Sequence, residues 1–175
     1  AMQLLKDAGY NGEEIEIRSQ NNYYTAENPV TQAVVAMWQA VGVNAKMKFV
    51  ESGKLFENSS TRATGNWSST GQIPDPYVSI FTQFSSAGSL NSFKIWQNAD
   101  FDALGVKMEQ AVDPAERAKI FRDMLHLIEW QDPGVTVLHQ NAVFFGIRKG
   151  IKWQPLPAFQ MDLGAGSLAF EEQKS

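Results

Sequence analysis

Residues 14–50 decide the fold, and they read EIEIRSQNNYYTAENPVTQAVVAMWQAVGVNAKMKFV. Residues 14–18 alternate between charged and aliphatic side chains, and residues 45–49 alternate between apolar side chains and lysines. An alternation of this kind is typical of a β-strand that buries one face. We therefore predict a strand at each end of this stretch.

Between the two strands the chain has the pattern of an amphipathic helix. Apolar side chains recur at helical spacing over residues 30–41, and Gly42 stands where the helix should end. Asn28 followed by Pro29 predicts the helix start, with Asn28 as the capping residue and Pro29 in the first helical position. The whole stretch is a predicted βαβ unit, whose strands lie parallel and are joined by a right-handed crossover.

Further helices are predicted from capping residues that precede apolar patterns. Asp75, Asn98 and Asp113 each stand directly before such a pattern, and proline follows Asp75 and Asp113. A third strand is predicted before Trp67, where the chain enters a polar stretch rich in Ser, Thr and Gly.

The later part of the chain has two strand-like stretches and an end without a clear pattern. Residues 135–139 and 142–148 are rich in β-branched and aromatic residues, which predicts a hairpin or two strands meeting at a bend. Residues 151–175 contain prolines and glycines without a strong period, so we expect them to leave the domain. Residues 1–150 are accordingly predicted to form an α/β domain with one mixed sheet flanked by helices.

Length and composition fit one compact domain and exclude several classes of function. The 175 residues are 43% hydrophobic, and the formal charge of -4 comes without any basic block, which argues against nucleic acid as a partner. The absence of cysteine excludes a disulfide, a thiolate nucleophile and an iron–sulfur cluster. His126 and His139 lack the spacing of a metal site, so we expect structural roles for both, and no metal or cofactor.

Two polar loops carry aromatic side chains suited to a ligand. Tyr23 and Tyr24 follow the first predicted strand, while Trp67 follows the third and leads into hydroxyl-bearing residues. Because the carboxyl ends of parallel strands meet at one edge of an open sheet, we expect both loops to face one crevice. Aromatic faces there can stack on a sugar, a peptide bond or a planar side chain, while hydroxyls supply hydrogen bonds.

Short motifs stand along nearly the whole chain, each of them weak alone. They are LLKDAGY at residues 4–10, QAVGV at 39–43, Trp67 with Asp75 and Pro76, NADFDAL at 98–104, DPAER at 113–117 and RKGI at 148–151. In this order they resemble the C-terminal lobe of the ABC-importer solute-binding proteins that include the dipeptide, oligopeptide and nickel receptors, known as extracellular solute-binding protein family 5.

The resemblance implies a type II periplasmic-binding-protein fold, in which two α/β lobes close over a peptide or other small solute and dock on a membrane permease. It implies that this chain is one lobe, that the N-terminal lobe of the same protein is missing from it, and that residues 151–175 return towards that lobe. It also implies a binding protein rather than an enzyme, exported to the periplasm or another extracytoplasmic location by a signal outside this sequence.

The resemblance places ligand contacts in the two loops already selected. The candidate ligand-binding residues are Asn21, Tyr23, Tyr24, Trp67, Ser68, Ser69, Thr70 and Asp75. Asp75 is expected to be a helix cap before it is a ligand group. Peptide-binding members have an acidic residue soon after this Trp to pair with the peptide's amino terminus, whereas residues 68–74 contain none. This departure favours an uncharged or differently charged solute, such as an oligosaccharide, over a short peptide.

Two other functions stay open at this point. The chain could be a protein interaction module that binds no solute, in which case the two loops should form a closed surface. It could also be an α/β hydrolase in which His139 and Asp75 work as acid and base, although the chain contains no Gly-x-Ser-x-Gly motif.

Overall fold

The computed structural model describes residues 1–57, 63–68, 75–140, 142–156 and 161–170. The chain forms two compact units, Ala1–Ser68 and Ser69–Ser175. The first unit is built on a parallel sheet, and the second is mainly helical.

The first unit is the predicted βαβ unit with a third strand added. Its elements are α1 (Met2–Asp7), β1 (Ile15–Ser19), α2 (Glu27–Ala40), β2 (Ala45–Phe49) and β3 (Ala63–Gly65). The strand order is β2-β1-β3, and β1 pairs in parallel with both neighbours, so that Ile17 lies between Met47 and Thr64. The predicted parallel pairing and the predicted strand before Trp67 are both confirmed.

Helix α2 begins at Glu27, earlier than predicted, so the assignment of Asn28 as its cap is wrong. Ala26 precedes the helix in the left-handed conformation, with a φ of 65°. Asn28 lies inside the first turn, where its Nδ2 donates to Oδ1 of Asn21 at 2.8 Å. The side chain of Asn28 is therefore used to hold the preceding loop rather than to cap the helix.

Strand β1 is covered on both faces, although its alternation predicted one polar face in solvent. Glu16 and Arg18 are only 8% and 6% exposed. The Glu16 carboxylate accepts hydrogen bonds from Lys48 at 2.7 Å and from Arg18 at 3.2 Å, and Arg18 also donates to the carbonyl oxygen of Glu57 at 2.8 Å. A central strand of a parallel sheet is commonly buried on both sides, and here the buried charges satisfy one another.

The second unit consists of helices followed by a short antiparallel pair of strands. Its elements are α3 (Pro76–Phe84), a 3₁₀ helix (Ser89–Phe93), α4 (Ala99–Gln110), α5 (Pro114–His126), a π-helical turn (Leu127–Gln131), β4 (Ile151–Trp153) and β5 (Leu168–Phe170). The side chains of Asp75, Asn98 and Asp113 accept hydrogen bonds from first-turn amides of α3, α4 and α5. The three predicted caps are therefore confirmed.

An apolar core and one arginine hold these helices together. The largest apolar side chains that are fully buried are Phe101, Met108, Met124 and Ile128. Arg117 in α5 donates through Nη1 to the carbonyl oxygens of Met108 and Ala111, at 2.5 and 3.2 Å, and through Nη2 to the Asp75 carboxylate at 2.6 Å. Arg117 thus links the first turn of α5 to the end of α4 and the start of α3.

The strands predicted at residues 135–139 and 142–148 are wrong. Their described residues form no strand, whereas β4 and β5 lie in the stretch that showed no pattern. The N–H of Val137 donates to the Glu129 carboxylate at 3.2 Å, so this segment is tied to the preceding helical turn instead of to a neighbouring strand. The α/β class is confirmed, but among the described residues the parallel and antiparallel strands form two sheets rather than one mixed sheet.

Two features are absent from the part of the chain that the structure describes. No helix there combines the length and the apolar character needed to cross a membrane. The same residues contain no group of three or more His, Cys, Asp and Glu side chains that could hold a metal ion.

Candidate functional site

Two loops leave the same edge of the parallel sheet in the first unit. The first loop, residues 20–26, follows β1, and the second loop, residues 66–68, follows β3. Because β1 and β3 are adjacent and parallel, the two loops start side by side. This is the arrangement that the predicted parallel strands implied for the loops that carry the candidate ligand-binding residues.

The first loop has an unusual backbone. Asn21, Asn22 and Ala26 adopt positive φ angles of 66°, 71° and 65°. Asparagine tolerates this left-handed conformation, whereas alanine carries a steric cost of about 1–2 kcal/mol there. A loop with this shape needs surrounding contacts that hold it in place.

The carboxylate of Glu27 supplies those contacts. The side chain is fully buried, at 0% exposure, and its Oε1 accepts from the N–H of Gln20 at 2.8 Å while its Oε2 accepts from the N–H of Tyr23 at 2.6 Å. The N–H of Glu27 also donates to the carbonyl oxygen of Tyr24 at 3.2 Å. Hydrogen bonds from backbone amides to a carboxylate are short and strong, so the first residue of α2 fixes the path of the first loop.

Tyr24 connects the first loop to the second. Its hydroxyl, which is partly buried, donates to Oδ1 of Asn66 at 2.9 Å. Burial raises the pKa of the Tyr24 hydroxyl above its ordinary value of 10.0, and the charge of Glu27 adds to this shift. The hydroxyl therefore stays protonated at neutral pH and acts as a donor. Tyr23, by contrast, is 53% exposed, so its ring is accessible for stacking.

The second loop is anchored by Asn66, which is buried. Its N–H donates to the carbonyl oxygen of Arg18 at 2.8 Å, and its side-chain Nδ2 donates to Oγ1 of Thr31 in α2 at 2.5 Å. Trp67 is half-buried and stands edge-to-face on Phe56, with 5.9 Å between the ring centroids. The second loop thus holds a partly exposed indole next to an asparagine that is bound to the first loop.

The structure places the predicted site residues in two groups. Those that lie in the two loops of the first unit are Asn21, Tyr23, Tyr24, Trp67 and Ser68. Ser69 and Thr70 lie outside the described residues. Asp75 lies in the second unit, where its carboxylate accepts from the N–H of Tyr77 at 3.0 Å and pairs with Arg117 at 2.6 Å.

Glu27, Thr31 and Asn66 hold the loops in place, and none of the three is among the residues predicted from the sequence. They follow the rule that a buried polar group must find hydrogen-bond partners, but their partners are backbone groups and side chains of other elements. A signal was present: Asn66 stands directly after a strand, and Glu27 is an acidic residue in the first turn of a helix, where loop amides are within reach.

The two loops combine an exposed ring, a half-buried indole, hydroxyls and amides. Within their described residues and the first turn of α2, the carboxylate present is that of Glu27, and backbone amides occupy both of its oxygens. Such a set of groups can stack on a ligand and form hydrogen bonds with it. It does not supply the paired acid and base that a hydrolase needs.

Comparison with known proteins gives consistent matches. No protein-family model matches the chain. The probable peptide ABC transporter periplasmic-binding protein of Sinorhizobium fredii is 34% identical over 154 residues, which cover 82% of this chain and 28% of that protein. Heme-binding protein A of Haemophilus influenzae is 28% identical over 148 residues, which cover 79% of this chain and 27% of that protein.

A solved structure matches the fold as well. HbpA2 from Haemophilus parasuis superposes with a TM-score of 0.57 and 27% identity, over 73% of this chain and 27% of the other. The chain therefore spans a little over a quarter of the length of each of these three relatives.

Proposed function

We propose that this chain, which shares its fold and motifs with the periplasmic binding proteins of ABC transporters, is the C-terminal lobe of a solute receptor. The resemblance read from the motifs is confirmed by the relatives, and the type II fold by the superposed structure. Those relatives are solute-binding proteins. Binding of a solute, without turnover, is the function that we assign to this chain.

One observation carries the proposal. The two loops that leave adjacent parallel strands are joined by the 2.9 Å hydrogen bond between Tyr24 and Asn66. Tyr23 precedes Tyr24 in the sequence, and Trp67 follows Asn66. Binding crevices of open α/β sheets are formed at this end of the strands. Tyr23, Tyr24 and Trp67 are the proposed stacking and walling groups, and Asn21 with residues 68–70 are the proposed hydrogen-bonding groups.

A short peptide is the first candidate for the solute. The relative with 34% identity is described as a probable peptide ABC transporter periplasmic-binding protein. Peptide bonds are flat and carry both donors and acceptors, so they suit a site made of aromatic faces, amides and hydroxyls.

A solute without a free amino terminus is the second candidate. Residues 68–74 contain no acidic side chain, and Asp75, the next residue in the sequence, is occupied as the cap of α3 and the partner of Arg117. One relative, Heme-binding protein A, is named for a solute that is not a peptide. An oligosaccharide is the uncharged solute that would fit the aromatic groups.

The proposed receptor needs partners beyond this chain. An N-terminal lobe of the same protein would complete the cleft, with residues 151–175 returning towards it, and a membrane permease would accept the solute. Closure of the two lobes over the solute would then shift the receptor to the form that the permease recognises. The proposed location is the periplasm, in line with the descriptions of the relatives.

The test is mass spectrometry of small molecules released by denaturing the full-length protein, purified from its native host without added ligand, with the final wash buffer as the blank. A peptide released at about one molecule per protein supports the first candidate, and an oligosaccharide or another non-peptide solute at that ratio supports the second. A protein that releases nothing, and whose melting temperature no candidate solute raises, would contradict the proposal and favour an interaction module.

A further inference from the structure

Glu27 contacts the first loop through its N–H and both carboxylate oxygens, and contacts its own helix through its carbonyl oxygen. Its two carboxylate oxygens accept from Gln20 and Tyr23, its N–H donates to the carbonyl oxygen of Tyr24, and its own carbonyl oxygen accepts from Oγ1 of Thr31 at 2.9 Å. A buried carboxylate is costly unless it is hydrogen-bonded. These bonds satisfy it and hold the loop at the same time.

Asn66 makes the corresponding contacts for the second loop. Its side chain accepts from the hydroxyl of Tyr24 and donates to Oγ1 of Thr31, whose hydroxyl donates in turn to the carbonyl oxygen of Glu27. Tyr24, Asn66, Thr31 and Glu27 thus form a continuous chain of hydrogen bonds, which runs from the first loop to the second, on into α2, and through the Glu27 carboxylate back to the first loop. Glu27, Thr31 and Asn66 are all buried, at 0%, 0% and 9% exposure.

The backbone of the first loop shows why such a connection matters. Asn21, Asn22 and Ala26 are left-handed, a conformation that persists only where neighbouring contacts impose it. The amides that Glu27 holds belong to Gln20 and Tyr23, on either side of the two left-handed asparagines. Removal of the acceptor oxygens therefore releases the part of the loop that carries the tyrosines.

We propose that Glu27 and Asn66 are positioning residues, which lock the first and second loops into one arrangement so that the two loops order and open together. The inference rests on the proposed function in that these loops are the ones assigned to the solute. Neither residue is assigned a contact with the solute itself. Their role is to present Tyr23, Tyr24 and Trp67 in a fixed relation before the solute arrives.

The first test is hydrogen exchange measured by mass spectrometry on the full-length protein, with and without the substitution Glu27→Gln. The amide of Gln has one acceptor oxygen and faces the second N–H with a donor, so one of the two bonds is lost. We expect exchange in peptides covering residues 20–24 to rise by about ten- to a hundredfold, as the loss of a hydrogen bond to a charged group implies. The matched control is Glu14→Gln, at an exposed glutamate of the same unit.

Two further variants separate positioning from simple packing. Glu27→Met keeps the length of the side chain but removes both acceptor oxygens, so a positioning role predicts faster exchange in Glu27→Met than in Glu27→Gln, which retains one acceptor, and a packing role predicts no difference between the two. Tyr24→Phe removes one hydroxyl and should raise exchange in both loops, whereas Tyr10→Phe, which removes a hydroxyl bonded to Glu13 and Asn44, should leave both loops unchanged.

The outcomes are distinct for the two proposals. The inference is overturned if Glu27→Gln leaves exchange of residues 20–24 unchanged, if Glu27→Met exchanges no faster than Glu27→Gln, or if Tyr24→Phe affects the first loop alone. Binding of dialanine, trialanine and maltotriose to the unsubstituted protein is measured separately by calorimetry. A protein that binds no solute contradicts the proposed function, while the exchange data still decide whether the loops are locked together.

Discussion

Glu16 is a buried carboxylate in the central strand of the sheet, and its charge is held by hydrogen bonds. The bond from Lys48 is the main cause that lowers its pKa below the ordinary value of 4.5, and the bond from Arg18 lowers the pKa further, against the opposing effect of burial. A carboxylate whose pKa is lower in the folded state stabilises the fold above its unfolded pKa. This contribution is lost as the pH falls below 4.5 and through the folded pKa.

We therefore predict that Glu16→Gln makes the free energy of unfolding less dependent on pH in the acid range. The measurement is urea unfolding at about pH 6 and about pH 3, where the difference between the two values should be smaller in the variant than in the unsubstituted protein. Lys48→Met removes the main cause of the shift and should reduce the difference too. Lys46→Met, on the same strand but paired with Glu14, is the control. If the free energy of unfolding changes equally between the two pH values in all of these proteins, the assignment is contradicted.

At the scale of the helices, Gly105 is the residue that lets α4 approach α3. It is buried, and a Cβ placed on it would lie 1.8 Å from a ring atom of Phe81. The Phe81 ring cannot simply swing away, because its centroid lies 4.9 Å from that of Tyr77 and 6.0 Å from that of Phe101. The close contact of α3 and α4 thus depends on the absence of a side chain at one position.

We predict that Gly105→Ala lowers the free energy of unfolding by about 1–3 kcal/mol, which is the usual cost of overpacking a core. The sign is informative because alanine in a helix interior would otherwise stabilise by up to about 1 kcal/mol relative to glycine. Combining Gly105→Ala with Phe81→Leu should recover part of the loss, since the smaller side chain frees the space. A single variant as stable as the unsubstituted protein in urea unfolding would refute the close contact.

For the molecule as a whole, the parts of the fold that follow from local interactions could be predicted from the sequence. The alternation of residues 14–18 and 45–49, and the caps at Asp75, Asn98 and Asp113, each depend on contacts within a few residues. Local patterns of this kind express the period of the backbone and the unsatisfied amides of a helix end, which the sequence displays directly.

The parts that depend on distant partners were not predictable in the same way. Residues 142–148 have the composition of a strand, but a strand also needs a partner strand. Their composition gives no information about whether such a partner exists, and the described residues provide none. The burial of Glu16 depends on Lys48, and the role of Glu27 depends on the path of the first loop. The two loops of the candidate site could be selected because the carboxyl ends of parallel strands meet at one edge of a sheet, whereas the residues that position these loops could not.

The proposed binding function makes a prediction for the whole protein that also tests the candidate site. A solute present at about a hundred times its dissociation constant should raise the free energy of unfolding by about 2.7 kcal/mol, and the melting temperature with it.

Trp67→Ala should weaken solute binding by about 1–3 kcal/mol in calorimetry, because it removes a partly exposed indole from the second of the two joined loops. Trp130→Ala, at a tryptophan that is 75% exposed in the second unit, is the control and should leave the affinity unchanged. If Trp67→Ala folds and binds the solute as tightly as the unsubstituted protein, Trp67 is not part of the site.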